Sequence, residues 1–76
     1  MNREEILKKL IIIFRDILEN EELILNENSS PENISEWDSL NHIYLVVEIE
    51  ETFNKKFAAS EIADWNTIKD ILDSIQ

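Results

Sequence analysis

The stretch SEWDSLNHI, residues 35–43, brings together an aspartate, a serine and the chain's one histidine. Ser39 and His42 stand three residues apart, so they share one face if this stretch is helical. A hydroxyl beside an imidazole can be a nucleophile with its base, and Asp38 could orient the pair. That chemistry also needs an oxyanion hole and a substrate cleft. The glycine-flanked turn that presents a nucleophilic serine is missing, because the chain contains no glycine. A plainer reading is helix chemistry, in which Asp38 caps a helix and Ser39 fills its first turn. A third use is attachment. A phosphodiester on a serine at a helix start would face free backbone N–H groups and the positive end of the helix dipole. The dipole contributes only about 0.3–1 kcal/mol, so it tolerates such a group. Selection would have to come from a modifying enzyme that reads the acidic helix beside it. His42 is then an exposed helix residue or a partner for Trp37.

Four helices must position these residues. The first starts at Asn2, a good N-cap with Glu5 as capping-box partner. Ile6, Leu7, Leu10, Ile13, Phe14, Ile17 and Leu18 recur at helical spacing. The helix is predicted to end near Glu19, with Asn20 as the left-handed residue. Residues 21–37 break the pattern, and NENSSPEN carries turn chemistry and the one proline. So long a loop is usually functional or self-packed; Leu23, Leu25 and Ile34 are expected to pin it to the core. Asp38 caps a second helix from Ser39 to Thr52 or Phe53. Its expected apolar stripe is Leu40, Ile43, Val46, Val47, Ile49 and Phe53, widened by Leu45, and Asn54 ends it. Ser60 is predicted to cap a short turn over Glu61 to Asp64. Asn66 or Thr67 caps the last helix, with Ile68, Ile71, Leu72 and Ile75 inward. No stretch alternates with period two. The predicted fold is all-α, a small four-helix bundle of three main helices and one short one, with a long loop between the first and second.

Size and composition bound the function. The chain has 76 residues, which suits one domain with a marginal core. It has no cysteine and one histidine, which excludes disulfides, thiolate metal sites and His-rich zinc sites. Seventeen acidic residues against seven basic ones give a net charge of −10. Nucleic acid and anionic membrane surfaces repel such a chain, whereas a partner with a basic face attracts it. No Lys or Arg lies between Arg15 and Lys55, where many of the acids fall. A membrane span needs about 20 apolar residues, and none is present. The N-terminal MNREEILKK lacks a signal-peptide layout, so a cytoplasmic monomer is expected.

With these elements in place, WDSLNHIYLVVEIEETFNKKF resembles the acyl carrier proteins and the related peptidyl carrier domains. The resemblance rests on Asp38-Ser39-Leu40, on EETF (Glu50 to Phe53) and on the closing NTIKDILDSI, and it extends over nearly the whole chain. It implies that Ser39 carries 4'-phosphopantetheine taken from coenzyme A, and that Asp38 helps a phosphopantetheinyl transferase bind. It implies that Leu40, Ile43 and Val47 form an apolar strip touched by partner enzymes. Glu50 and Glu51 would meet basic residues on those partners, with Phe57 beside them at the start of the third helix. Leu45, Ile49, Ile62, Trp65 and Ile68 would line the space where an acyl chain shelters. The implied function is non-catalytic: a carrier of acyl thioesters presented to loading and transferring enzymes with basic docking faces. Such carriers serve fatty acid biosynthesis or polyketide and specialised lipid biosynthesis. An aminoacyl or peptidyl cargo, or an acidic helical adaptor without a prosthetic group, are the alternatives. The chain departs from the family pattern where Ser35 and Glu36 replace a glycine, and where Asn41, His42 and Tyr44 stand in place of acids. These departures resemble specialised stand-alone carriers. Trp65 is bulky for a pocket-lining position, so a small interior and a cargo that is short, polar or held outside are expected.

Overall fold

Asn2 starts the first helix by accepting the Glu5 N–H at 2.9 Å through its side chain. The computed structural model describes residues 1–76, and α1 runs Arg3–Ile17. Ile6, Leu10, Ile13 and Phe14 form its buried face, as the spacing predicted. The helix ends differently. Leu18 is the C-cap and Glu19, not Asn20, takes the left-handed conformation, with φ 53°. The Asn20 side chain is used elsewhere. Its Oδ1 accepts the Glu22 N–H at 3.1 Å, and its Nδ2 donates to Glu36 Oε2 at 3.2 Å. An asparagine with two loop partners is worth more to the loop than to the cap.

The second helix, α2, spans Ser39–Phe53, closed by Asp38 at its start and by left-handed Asn54, φ 50°, at its end. Both caps are where the sequence placed them. A short α3 follows at Ala59–Ala63, and its N-cap is Ala58 with no side-chain bond. Ser60 therefore lies inside the helix rather than capping it. The last helix, α4, spans Ile68–Ile75. Thr67 accepts the Asp70 N–H while the Asp70 carboxylate accepts the Thr67 N–H, a complete capping box. The chain is thus all-α, with four helices and no strand.

The long loop is fastened rather than free. Leu23, Leu25 and Ile34 are buried with Leu18 and Trp37 in the same core as the helices. Arg15 Nε donates to the Leu23 carbonyl at 2.8 Å. The loop also completes α4: the N–H groups of Ile68 and Lys69, orphaned at a helix start, donate to the carbonyls of Ser29 and Glu27, each at 3.0 Å. Arg3 closes the structure from the other side. It bonds Glu27 Oε1 at 2.8 Å and Asp73 Oδ1 at 2.9 Å, so one guanidinium ties α1, the loop and α4.

α2 carries apolar residues on two faces. Leu45, Val46 and Ile49 are buried. Leu40, Ile43 and Val47, which belong to the same apolar stripe in the sequence, face outward, where the family resemblance puts a partner-contact strip. A helix that is apolar nearly all round gives no single face from its pattern; neighbouring helices decide which side is covered. No helix is long and apolar enough to cross a membrane.

Candidate functional site

Asp38 fixes the start of α2. Its Oδ1 accepts the Asn41 N–H at 2.8 Å, and its carbonyl accepts the His42 N–H at 2.8 Å. Ser39 is thereby the first helical residue, exposed. Neither its hydroxyl nor the backbone N–H groups of Ser39 and Leu40 has a protein partner. The site is an open hydroxyl on the positive end of a 15-residue helix.

His42 does not serve that hydroxyl. Indole nitrogen can only donate, so the 3.0 Å bond between Trp37 Nε1 and His42 Nδ1 makes Nδ1 the acceptor. This pairing leaves the imidazole proton on Nε2, which faces the Ile62 carbonyl at 3.4 Å. Both ring nitrogens are engaged away from Ser39, and no lone pair remains to take its proton. His42 is the partner of Trp37, and the two rings stack with centroids 6.1 Å apart.

Beside Ser39 lies a groove of about 430 Å³ lined by Pro31, Trp37, Asp38, Ser39, His42, Ile62, Ala63 and Trp65. The residues assigned to an acyl pocket divide here. Ile62 and Trp65 line the groove. Leu45, Ile49 and Ile68 do not: they are 1%, 0% and 0% exposed and packed inside the bundle. The groove's use of Trp37, His42 and Pro31 was missed in the sequence, where loop residues and a helix start give no sign that they meet α3.

The residues assigned to partner contact also divide. Leu40 and Ile43 are each 60% exposed and Val47 is 50% exposed. Tyr44, at 51%, belongs with them and was missed as a surface member. The signal was present, since positions 40, 43, 44 and 47 form a complete helical stripe. Glu51 is exposed, whereas Glu50 is half-buried, its Oε2 accepting the Phe57 N–H at 3.0 Å. Phe57 is corrected most. It precedes α3 rather than starting it, and it is 9% exposed, edge-on to Trp65 with centroids 5.0 Å apart.

Electrostatics around the site are acidic. Glu36 lies just before it, and its carboxyl is held below the ordinary range by its own backbone N–H and by the Asn20 amide. Around Ser39 the acids Glu36 and Asp38 have no lysine or arginine bridge.

Comparison with known proteins is consistent with this geometry. The family described as "Phosphopantetheine attachment site" matches residues 8–75. An acyl carrier protein of Coprothermobacter proteolyticus is 30% identical over 76 residues, covering 100% of this chain and 93% of the relative. An acyl carrier protein of Thermosynechococcus vestitus is 34% identical over 76 residues, covering 99% of this chain and 93% of the relative. A D-alanyl carrier protein of Streptococcus pyogenes is 44% identical over 41 residues, covering 51% of this chain and 52% of the relative.

Proposed function

Because the chain belongs to the phosphopantetheine-binding carrier family, we propose that Ser39 is the attachment residue of a single-domain, non-catalytic carrier of acyl groups. The observation that carries this is the free, exposed Ser39 hydroxyl at the capped start of α2, within the matched segment. The residues present fit the group. The open N–H groups of Ser39 and Leu40 can donate to a phosphodiester's oxygens, and Asp38 is turned to Asn41 and holds the helix start in shape. On attachment, Ser39 Oγ would bond to the phosphorus that bears the pantetheine arm as the diphosphate P–O bond of coenzyme A breaks, with adenosine 3',5'-bisphosphate leaving and the hydroxyl proton passing to a base on the transferase. When bound, the group supplies a terminal thiol that carries cargo as a thioester. Tethering raises the effective concentration of that cargo at each enzyme visited.

Carrier proteins work with partner enzymes and require a phosphopantetheinyl transferase. The docking face of this one is Leu40, Ile43, Tyr44 and Val47, with Asp38, Glu48 and Glu51 beside it. An apolar centre with an acidic rim suits partners with basic faces. Steering of this kind speeds encounter more than it tightens the complex, as a carrier that must leave requires. Binding to a partner enzyme is expected to weaken as salt rises, because screening shortens to about 3 Å at 1 M. Salt-independent binding would count against this face. Similarity to bacterial acyl carrier proteins over the whole chain supports a cytoplasmic location.

A second cargo class, aminoacyl, is favoured by the similarity to D-alanyl carrier proteins through half of the chain. The attachment itself is tested by intact mass after incubation with coenzyme A and a broad-specificity phosphopantetheinyl transferase. A mass gain lost in Ser39→Ala supports the carrier. No gain in the wild-type chain leaves the adaptor reading instead.

A further inference from the structure

The groove beside Ser39 has a built floor. Phe14, Trp37, His42, Trp65 and Phe57 form an unbroken run of rings, with successive centroids 5.0, 6.1, 6.3 and 5.0 Å apart. Trp37, His42 and Trp65 are the members that face the groove. Phe14, Leu45, Ile49 and Ile68 are fully buried in the same core that Trp37 and Trp65 join. A group that starts at Ser39 enters a groove whose aromatic lining is Trp37, His42 and Trp65.

The rings are held by hydrogen bonds as well as by packing. Trp37 Nε1 donates to His42 Nδ1, and Trp65 Nε1 donates to Ser74 Oγ at 2.8 Å. His42 Nε2 faces the Ile62 carbonyl, which also accepts the Trp65 N–H at 3.2 Å. Turning either indole aside strands a buried N–H, which costs more than its bond contributes when made. The interior behind is closed, since Ile49 and Ile68 have no exposed surface, and packed interiors hold few voids larger than a water molecule.

We infer that Trp37, His42 and Trp65 form a wall that keeps the cargo out of the bundle, so that an acyl group carried on Ser39 lies in the outer groove against the indole faces. The inference rests on the attachment at Ser39 proposed above and adds where the cargo goes. The groove's about 430 Å³ falls at the low end of ligand-sized clefts, which run about 300–1,000 Å³. It suits a short chain. The three wall residues thereby set the chain length this carrier can shelter, and His42 is the central one because it touches both indoles.

The test uses the full chain loaded by a phosphopantetheinyl transferase with isotope-labelled octanoyl-coenzyme A. Octanoyl is the demanding choice, because its apolar length gives it the strongest drive toward the interior. Intact mass is read first, and then contacts from the octanoyl protons are mapped by NMR. Contacts to the Trp37 and Trp65 indole protons and the Ile62 methyls, with none to Leu45, Ile49 or Ile68, are expected. Contacts to those three interior methyl groups would overturn the wall, and so would a loaded chain that touches neither set. A failure to gain mass would instead overturn the attachment reading itself. In His42→Ala, with the two indoles no longer bridged, interior contacts are expected to appear. If the loaded variant keeps the wild-type pattern, His42 is not the bar. The wild-type map decides the placement even if that variant does not fold.

Discussion

Ser39→Ala and Asp38→Ala are adjacent substitutions with opposite expected effects on stability and attachment. The Ser39 side chain is exposed and makes no hydrogen bond, so its loss removes no contact. Alanine is the better helix former by a few tenths of a kcal/mol. Stability should therefore stay within about 0.5 kcal/mol of wild type or rise slightly. Asp38 accepts the Asn41 N–H at 2.8 Å, and removing that cap costs about 0.5–2 kcal/mol. A chain of 76 residues has a total of about 4–11 kcal/mol at the usual stability per residue. A 1 kcal/mol cap loss should lower Tm by about 4–8 °C for this size. Circular dichroism melts give the stabilities, and intact mass after transferase treatment gives the attachment. Ser39→Ala should keep its Tm and lose the mass gain. Asp38→Ala should lose Tm and, with the hydroxyl still present, be modified more slowly. A Ser39→Ala chain that melts well below wild type, or that still gains mass, would refute the claim that this hydroxyl is structurally idle and chemically essential.

The two faces of α2 should separate on truncation. Ile49→Ala, at a fully buried position, should cost about 2–5 kcal/mol. Ile43→Ala and Val47→Ala should each stay within about 0.5 kcal/mol in a denaturant titration. Equal costs would contradict the outward placement of Ile43 and Val47. His42→Leu leaves the Trp37 N–H without its acceptor and should cost about 1–3 kcal/mol. Adding Trp37→Phe should recover part of that loss, whereas strict additivity in the double-mutant cycle would mean the bond contributes nothing. Arg3 holds the Glu27 and Asp73 carboxyls below their ordinary values, chiefly by hydrogen bonding. A carboxyl with a depressed folded pKa stabilises above its unfolded pKa and loses that contribution as pH falls through the folded one. The gap in Tm between wild type and Arg3→Gln should thus be full at neutral pH and shrink below about pH 4, and a gap that does not change with pH would rule the linkage out.

Local patterns reached far in this chain. The caps at Asn2, Asp38, Asn54 and Thr67 depend on side chains acting within a few residues of themselves, so they were legible in order along the sequence. The apolar spacing of α1 and α4 was legible for the same reason. Errors came where two local solutions competed. Asn20 and Glu19 could each have ended α1, and Asn20 was claimed by partners as distant as Glu36. Ser60 could have capped α3, but the helix starts one residue earlier, at Ala59, with Ala58 as its N-cap. The periodicity of α2 does not separate its buried from its exposed apolar residues, because a pattern records which residues are apolar, not which neighbours arrive to cover them.

The amino-acid sequence by itself determined four helices, the caps at Asn2, Asp38 and Asn54, an acidic surface and a serine at the head of α2, because each follows from short-range geometry and composition. Tertiary structure decided between the two readings of His42 by turning its second nitrogen to Ile62, and it alone decided that Phe57 is buried and that the groove beside Ser39 is floored by indole rings. Those outcomes join the loop, α2 and α3, and contacts between segments far apart in the chain exist only once the core has drawn them together.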